Sequence, residues 1–273
     1  VANVMLRKAS GKVDGFVIEG SSAGGHNAPP RGRPALSDEG EPVYGKRDVP
    51  KLQEFRDYGI PFWLAGSNGN PGKLQEALDE GAAGIQVGTA FAFSEESGFE
   101  SEWKAKVLQL SSEGKAHVFT DPIASPTGFP FKVIQLEGTV SDNATSKARS
   151  RVCDLGYLRH AYRQDDGKLG WRCPSEPEED YVKRGGDMED TVGRKCVCNG
   201  LLANLGMPQV RKDGSVELPM FASGDDVANV ARFLAPGASS YAAKDVVEYL
   251  LAGVSEASAE ATAGAAEPTG ESA

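Results

Sequence analysis

The chain has 273 residues, enough for one large domain or two small ones, with 40% hydrophobic and 25% charged residues as in ordinary globular proteins. Its net charge of −10 comes without any basic cluster, which argues against a nucleic-acid partner. No apolar run reaches the ~20 residues of a membrane span and no export signal precedes the first strand, so a cytoplasmic protein is expected.

Residues 1–10 carry Val4, Met5 and Leu6 among cations and read as a helix. Phe16-Val-Ile18 is an apolar run of strand length. It breaks into Gly20-Ser-Ser-Ala-Gly-Gly25 and ends on His26. A buried strand that delivers small residues and a titratable side chain is the layout of an α/β active site, because parallel sheets place chemistry at strand carboxyl ends. A tight turn with an incidental surface histidine is the competing reading. Residues 27–36 are rich in Pro and Gly and read as a long covering loop. Arg31 and Arg33 in it are either solvated or face an anionic substrate.

Asp48 to Tyr58 reads as a helix, with Asp48 as N-cap and Gly59 as stop. A second strand, Phe62-Trp-Leu64, breaks into Ala65-Gly-Ser-Asn-Gly69. Asn70 and Pro71 open the next helix and Gly81 closes it. The helix start therefore offers N–H groups and a positive end to a phosphate near that loop. Gly84-Ile-Gln-Val-Gly-Thr-Ala-Phe91 is a third strand-then-glycine unit. Residues 94–110 read as a further helix, with Lys104 and Lys106 in its later part. His117-Val-Phe119 reads as an edge strand. Asp121 to Phe131 is too rich in proline for regular structure and reads as a folded-back loop anchored by Phe129 and Phe131.

Together these segments resemble the nitronate monooxygenase family, also called 2-nitropropane dioxygenases, which are FMN-dependent (β/α)8 barrels. The resemblance rests on Glu19-Gly-Ser-Ser-Ala-Gly-Gly-His26, Leu64-Ala-Gly-Ser67 and Gly84-Ile-Gln-Val-Gly-Thr-Ala-Phe91, and firmly covers about the first 95 residues. The run Thr120 to Phe131 and the cysteine-bearing segment resemble a bacterial subgroup of the same family. A full barrel needs about 250 residues. The expected fold is therefore α/β: the C-terminal part of a (β/α)8 TIM barrel, its last three or so β/α units, seen without the earlier ones. An irregular, partly helical, cysteine-bearing extension follows. The alternative is a complete small α/β protein that borrows the motif set. The expected divisions are 1–135 for the partial barrel, 136–252 for the extension and 253–273 for a disordered tail of Ala, Ser, Glu, Gly and Thr.

The resemblance implies that FMN is the cofactor and that His26 is the catalytic base or the electrostatic partner of a nitro group. Imidazole titrates near neutral pH and suits proton removal from carbon beside a nitro group. Main-chain N–H groups of Gly66, Ser67, Gly88 and Thr89 are expected at the FMN phosphate, and Gly24 and Gly25 beside the flavin. Ser67 departs from the family, which often has glycine there. The implied activity is oxidative denitrification of nitronates with O2. An FMN-dependent enoyl reductase, which shares the Ala-Gly-Gly-His motif, and a non-catalytic binding domain are the alternatives. A chain lacking the early strands is expected to bind FMN poorly by itself. A homo-oligomer is compatible with this reading.

All four cysteines, Cys153, Cys173, Cys196 and Cys198, fall within 46 residues of a polar segment. Without an export signal, disulfides are disfavoured. Zinc or an iron–sulfur cluster on four thiolates competes with four reduced, partly buried thiols. The Cys196-Val-Cys198 spacing is tighter than the usual zinc knuckle. Phe221 to Leu234 and Ser239 to Leu251 read as two helices, the first with Val227, Val230, Ala231 and Leu234 inward.

Overall fold

The computed structural model describes residues 1–252 and Val254. The proposed tail at 253–273 thus falls outside the described residues, save Val254. Among the described residues no helix is long and apolar enough to cross a membrane.

The chain opens with an exposed helix, α1 (Ala2–Lys8), which buries no residue. The three strand-then-glycine units form one parallel sheet in the order β1 (Phe16–Glu19), β3 (Phe62–Ala65), β4 (Gly84–Gln86). Phe16 stands opposite Phe62 and Glu19 opposite Ala65, while Trp63 meets Gly84 and Ala65 meets Gln86. In a parallel sheet all three glycine loops leave from the same end. Two helices cross between the strands, α2 (Leu52–Arg56) and α3 (Pro71–Asp79). Ile18, Phe62, Ala77 and Ala82 are buried together there, with Phe16, Leu52, Phe55 and Leu64 against them.

The sheet does not close. Among the described residues it has three strands, β1 is an edge, and Val17 on that edge is 47% exposed. The barrel-like part is thus an open α/β sheet rather than a closed wall.

A second sheet is antiparallel, in the order β2 (Gly25–His26), β6 (Phe131–Ile134), β5 (Val118–Asp121). The edge strand expected at 117–119 forms as β5, at the edge of this sheet. Phe131 is buried on β6, whereas Phe129 is exposed. The helix expected over 48–58 is shorter. Asp48 does not cap it, because its carboxylate accepts from the N–H groups of Arg31 and Gly45, both at 2.7 Å, and so ties down the long loop instead. Arg31 and Arg33 on that loop are exposed. The helix over 70–79 forms as expected, with Asn70 Oδ1 accepting from Lys73 N at 3.0 Å and Gly81 at φ +78°.

The helix expected over 94–110 starts later, as α5 (Ser101–Ser112); residues 93–100 form a turn, preceded by a separate short helix, α4 (Thr89–Ala92). This moves Lys104 into the early part of α5, where it is buried. Its Nζ donates to the carbonyls of Ser94, Glu95 and Ser97 at 3.0, 3.0 and 3.2 Å, binding the turn to the helix. Lys104→Met leaves three carbonyls without their cation and is expected to cost about 2–3 kcal/mol, read by urea unfolding at pH 7. An unchanged midpoint would remove this role.

The remaining elements are α6 (Asn143–Ala148), the hairpin β7 (His160–Arg163) and β8 (Leu169–Arg172), α7 (Glu178–Lys183), α8 (Val197–Ala203) and α9 (Ala243–Leu251). The helix expected over 221–234 is a 3-10 segment, Asp225–Phe233, that buries Val227, Val230 and Phe233. Ala231 and Leu234 are only half-buried. One apolar core joins Phe93, Val107, Ile134, Phe221, Val230, Tyr241 and Leu250. Residues after 220 therefore pack directly on α4, α5 and the second sheet.

Candidate active site

The three glycine loops converge on one cavity of about 360 Å³. Gly24 and Gly25 line it from the first loop, Gly66 and Ser67 from the second, Gly88 and Thr89 from the third. All six residues expected to hold the cofactor thus come together. The strand registers cause this, since each loop begins where its strand leaves the sheet. The first turn of α3 is not part of the lining, which on that side ends at Gly69.

The lining has features that suit a phosphate ester. The N–H groups of Gly66, Ser67 and Gly88 donate to no acceptor among the described residues. Gly66 sits at φ +99° and Ser67 at φ +51°. Ser67 is the one non-glycine residue with positive φ among those described. A side chain in that region is strained, so this loop shape is kept at a cost. At Gly88 an added Cβ would meet nothing within 4 Å, so the space beside it is open.

A fourth segment completes the wall, and no motif reading assigned it: Ala222, Ser223, Gly224 and Asp226. It arrives backbone to backbone against the first loop. A Cβ on Gly24 would stand 2.5 Å from Gly224 N and 2.6 Å from Ser223 C. A Cβ on Gly224 would stand 2.8 Å from Ser22 O. Asp225 N donates to Ser22 O at 3.1 Å. Thr89 Oγ1 accepts from Gly224 N at 3.1 Å and from Ser223 Oγ at 3.3 Å. Ser223 Oγ has a single proton and also lies 3.3 Å from Gly224 O. The small-residue run Ala222-Ser-Gly224 was the available sequence signal, and reading it as a helix start concealed it.

His26 does not line this cavity. It follows Gly25 on β2, and adjacent strand residues face opposite ways. Its Nε2 lies 2.6 Å from Ser125 Oγ, and its ring centroid lies 4.5 Å from that of Phe131. Ser125 is fully buried, accepts from Thr127 N at 3.2 Å and lies 2.8 Å from Thr127 Oγ1. Thr127 Oγ1 itself accepts from Phe129 N at 3.3 Å. The donor count closes in two ways: Ser125 accepts Nε2–H and donates to Thr127, which leaves Nδ1 as an acceptor, or Thr127 donates to Ser125, which donates to Nε2. Partial burial holds the His26 pKa below 6.5, so the neutral ring dominates at pH 7.

The four cysteines do not support the expected metal centre. Among the described residues no group of three or more His, Cys, Asp or Glu side chains is placed to hold an ion. Burial pushes Cys173 up to about 11 and Cys196 up to about 12, and raises Cys198, so these are protonated thiols at neutral pH. A buried ion network holds this segment instead. Glu217 accepts from Arg149 Nε at 2.6 Å, Arg211 Nη2 at 2.7 Å and Asn199 Nδ2 at 3.1 Å. Asp154 shares Arg211 and Asn199. Burial raises the Glu217 pKa, but Arg149 and its other donors outweigh this and hold it at about 2.

A depressed carboxylate stabilises the fold above its unfolded pKa and loses that contribution as pH falls through the folded value. Glu217→Gln is therefore expected to cost about 3 kcal/mol at pH 7. The gap to the wild-type chain should narrow between about pH 4.5 and pH 2, which urea unfolding at several pH values measures. A gap that is constant with pH would contradict the pairing.

An open parallel α/β sheet whose strand ends converge on a glycine-lined cavity defines the class of this protein. The model of the nitronate monooxygenase family matches residues 1–125, the amino-terminal part of the chain. The match thus passes Thr120 and stops short of the cysteines. No curated protein matches the chain. Solved structures similar to it include FabK from Thermotoga maritima, at 17% identity and TM-score 0.48, covering 95% of this chain and 59% of that one. The M276A mutant of the same protein gives 16% identity and TM-score 0.46, with 95% and 58% covered. The chain thus spans under two thirds of the length of these structures.

Proposed function

We propose that this chain is part of an FMN-dependent oxidoreductase that oxidises nitronates with O2. The observation that carries the reading is the convergence of Gly24, Gly25, Gly66, Ser67, Gly88 and Thr89 on one cavity, within the stretch that matches the family model. The cavity fits a phosphate ester by its open N–H groups, by the Thr89 hydroxyl and by backbone approaches that leave no room for a Cβ at Gly24. Bound FMN supplies two-electron oxidation of the substrate and the reaction of reduced flavin with O2.

The chain's own residues do the rest. Gly66, Ser67, Gly88 and Thr89 hold the phosphate. Gly24 lets the first loop and residues 223–224 close on each other. His26, with Nε2–H donated to Ser125, keeps Nδ1 available to take a proton from carbon beside a nitro group, or to pair with the nitro group once charged.

The test is oxygen uptake with a preformed alkyl nitronate, alongside NAD(P)H oxidation with an enoyl thioester. Uptake with the nitronate supports the reading. Turnover only with the enoyl thioester and NAD(P)H would replace it by an enoyl reductase. Bound flavin without turnover on either would favour a non-catalytic domain.

A further inference from the structure

We infer that Arg232 is a positioning residue that makes the glycine cavity acceptable to a phosphate by neutralising Asp226. The inference rests on the flavin reading above. Asp226 lines the cavity, and its side chain is only 14% exposed. An unpaired carboxylate in such a wall repels a dianion at close range, where screening by water is weak.

Arg232 meets that carboxylate as a fork. Nη1 donates to Asp226 Oδ1 at 2.9 Å and Nη2 to Oδ2 at 2.6 Å. Nη2 also donates to Gly69 O at 2.5 Å, which ties the far end of the second glycine loop to the 3-10 segment. Nη1 reaches Asn229 O at 2.9 Å. The guanidinium lies 4.4 Å from the ring centre of Phe233 and 5.8 Å from that of Tyr249. A planar cation held by two carboxylate oxygens, two carbonyls and two rings has one orientation. Lysine cannot reproduce it. Arg232 does not line the cavity itself, so it acts through Asp226 and Gly69.

The experiment titrates the full chain with FMN and with riboflavin, following flavin fluorescence. Riboflavin lacks the phosphate, so the ratio of the two affinities isolates the phosphate's share. The wild-type chain should prefer FMN. Arg232→Gln should weaken FMN at least tenfold and riboflavin less than threefold. Asp226→Asn combined with Arg232→Gln should recover most of the FMN affinity, a rescue that a purely structural role does not give. Arg232→Lys keeps the charge, tests the same ratio should the glutamine variant fail to fold, and should retain a partial preference. Equal losses for both flavins, or no rescue in the double variant, would overturn the inference while leaving the flavin reading intact. A wild-type chain that binds neither flavin, even at the weak affinity expected of a chain without the early strands, would overturn both.

Discussion

Replacing His26 with alanine is expected to lower turnover of neutral nitroalkanes by about 10²–10⁴-fold, the usual share of a general base. The loss on preformed nitronates should be much smaller. A nitroalkane must give up a proton from carbon before it can be oxidised, whereas a nitronate has already lost it. The ring is partly exposed, so its removal should leave the unfolding midpoint nearly unchanged. The pH profile carries the sign. Burial lowers the His26 pKa below 6.5, and the neutral ring is the base. Nitroalkane turnover should therefore be level near pH 7 and fall about tenfold per unit below the lowered pKa. Steady-state oxygen uptake with the two substrate forms between pH 5 and 8 measures both effects. Equal losses on nitroalkane and nitronate would remove the base role and leave an electrostatic one.

Gly24→Ala is the second large effect. The added Cβ would fall 2.5 Å from Gly224 N and 2.6 Å from Ser223 C, and main chain cannot yield as a flexible side chain does. The two segments must separate, which opens the cavity wall and disturbs the bonds from Gly224 N to Thr89 and from Asp225 N to Ser22 O. A stability loss of about 1–3 kcal/mol is expected from such overpacking, with FMN affinity reduced at least tenfold. Gly25→Ala is the control. Gly25 sits at φ +79°, so alanine is strained there, yet its Cβ would meet nothing within 4 Å. It should cost about 1 kcal/mol through backbone strain and spare FMN binding relative to Gly24→Ala. Fluorescence titration and urea unfolding of the two variants separate a clash from strain.

The parallel sheet was legible because each strand is a short apolar run that stops at glycine. Asn70, Pro71 and Gly81 marked the ends of α3 for the same local reasons. The six cavity residues were legible for their position at strand ends. What failed depended on distant partners. Ser223, Gly224, Asp226 and Arg232 stand more than 130 residues after Thr89, and nothing local shows that they close the wall. Lys104 looked like an ordinary late-helix cation because the turn it binds was read as helix. Asp48 had the right residue type for an N-cap but was taken by Gly45 and Arg31. The cysteines drew attention by residue type, while the groups that hold their segment are Glu217, Arg149 and Arg211, which no spacing rule singles out. The second sheet was only half visible, since two-residue β2 pairs with β6 more than 100 residues later.

The most direct test of the account is an amide chemical-shift titration of the isotopically labelled chain with FMN, which registers weak as well as tight binding. Saturable shifts are expected at Gly24, Gly66, Ser67, Gly88 and Thr89, extending to Ser223 and Gly224, with riboflavin producing smaller shifts at Ser67 and Gly88. Shifts scattered over the surface, or none at these loops, would mean that the glycine cavity is not a flavin phosphate site.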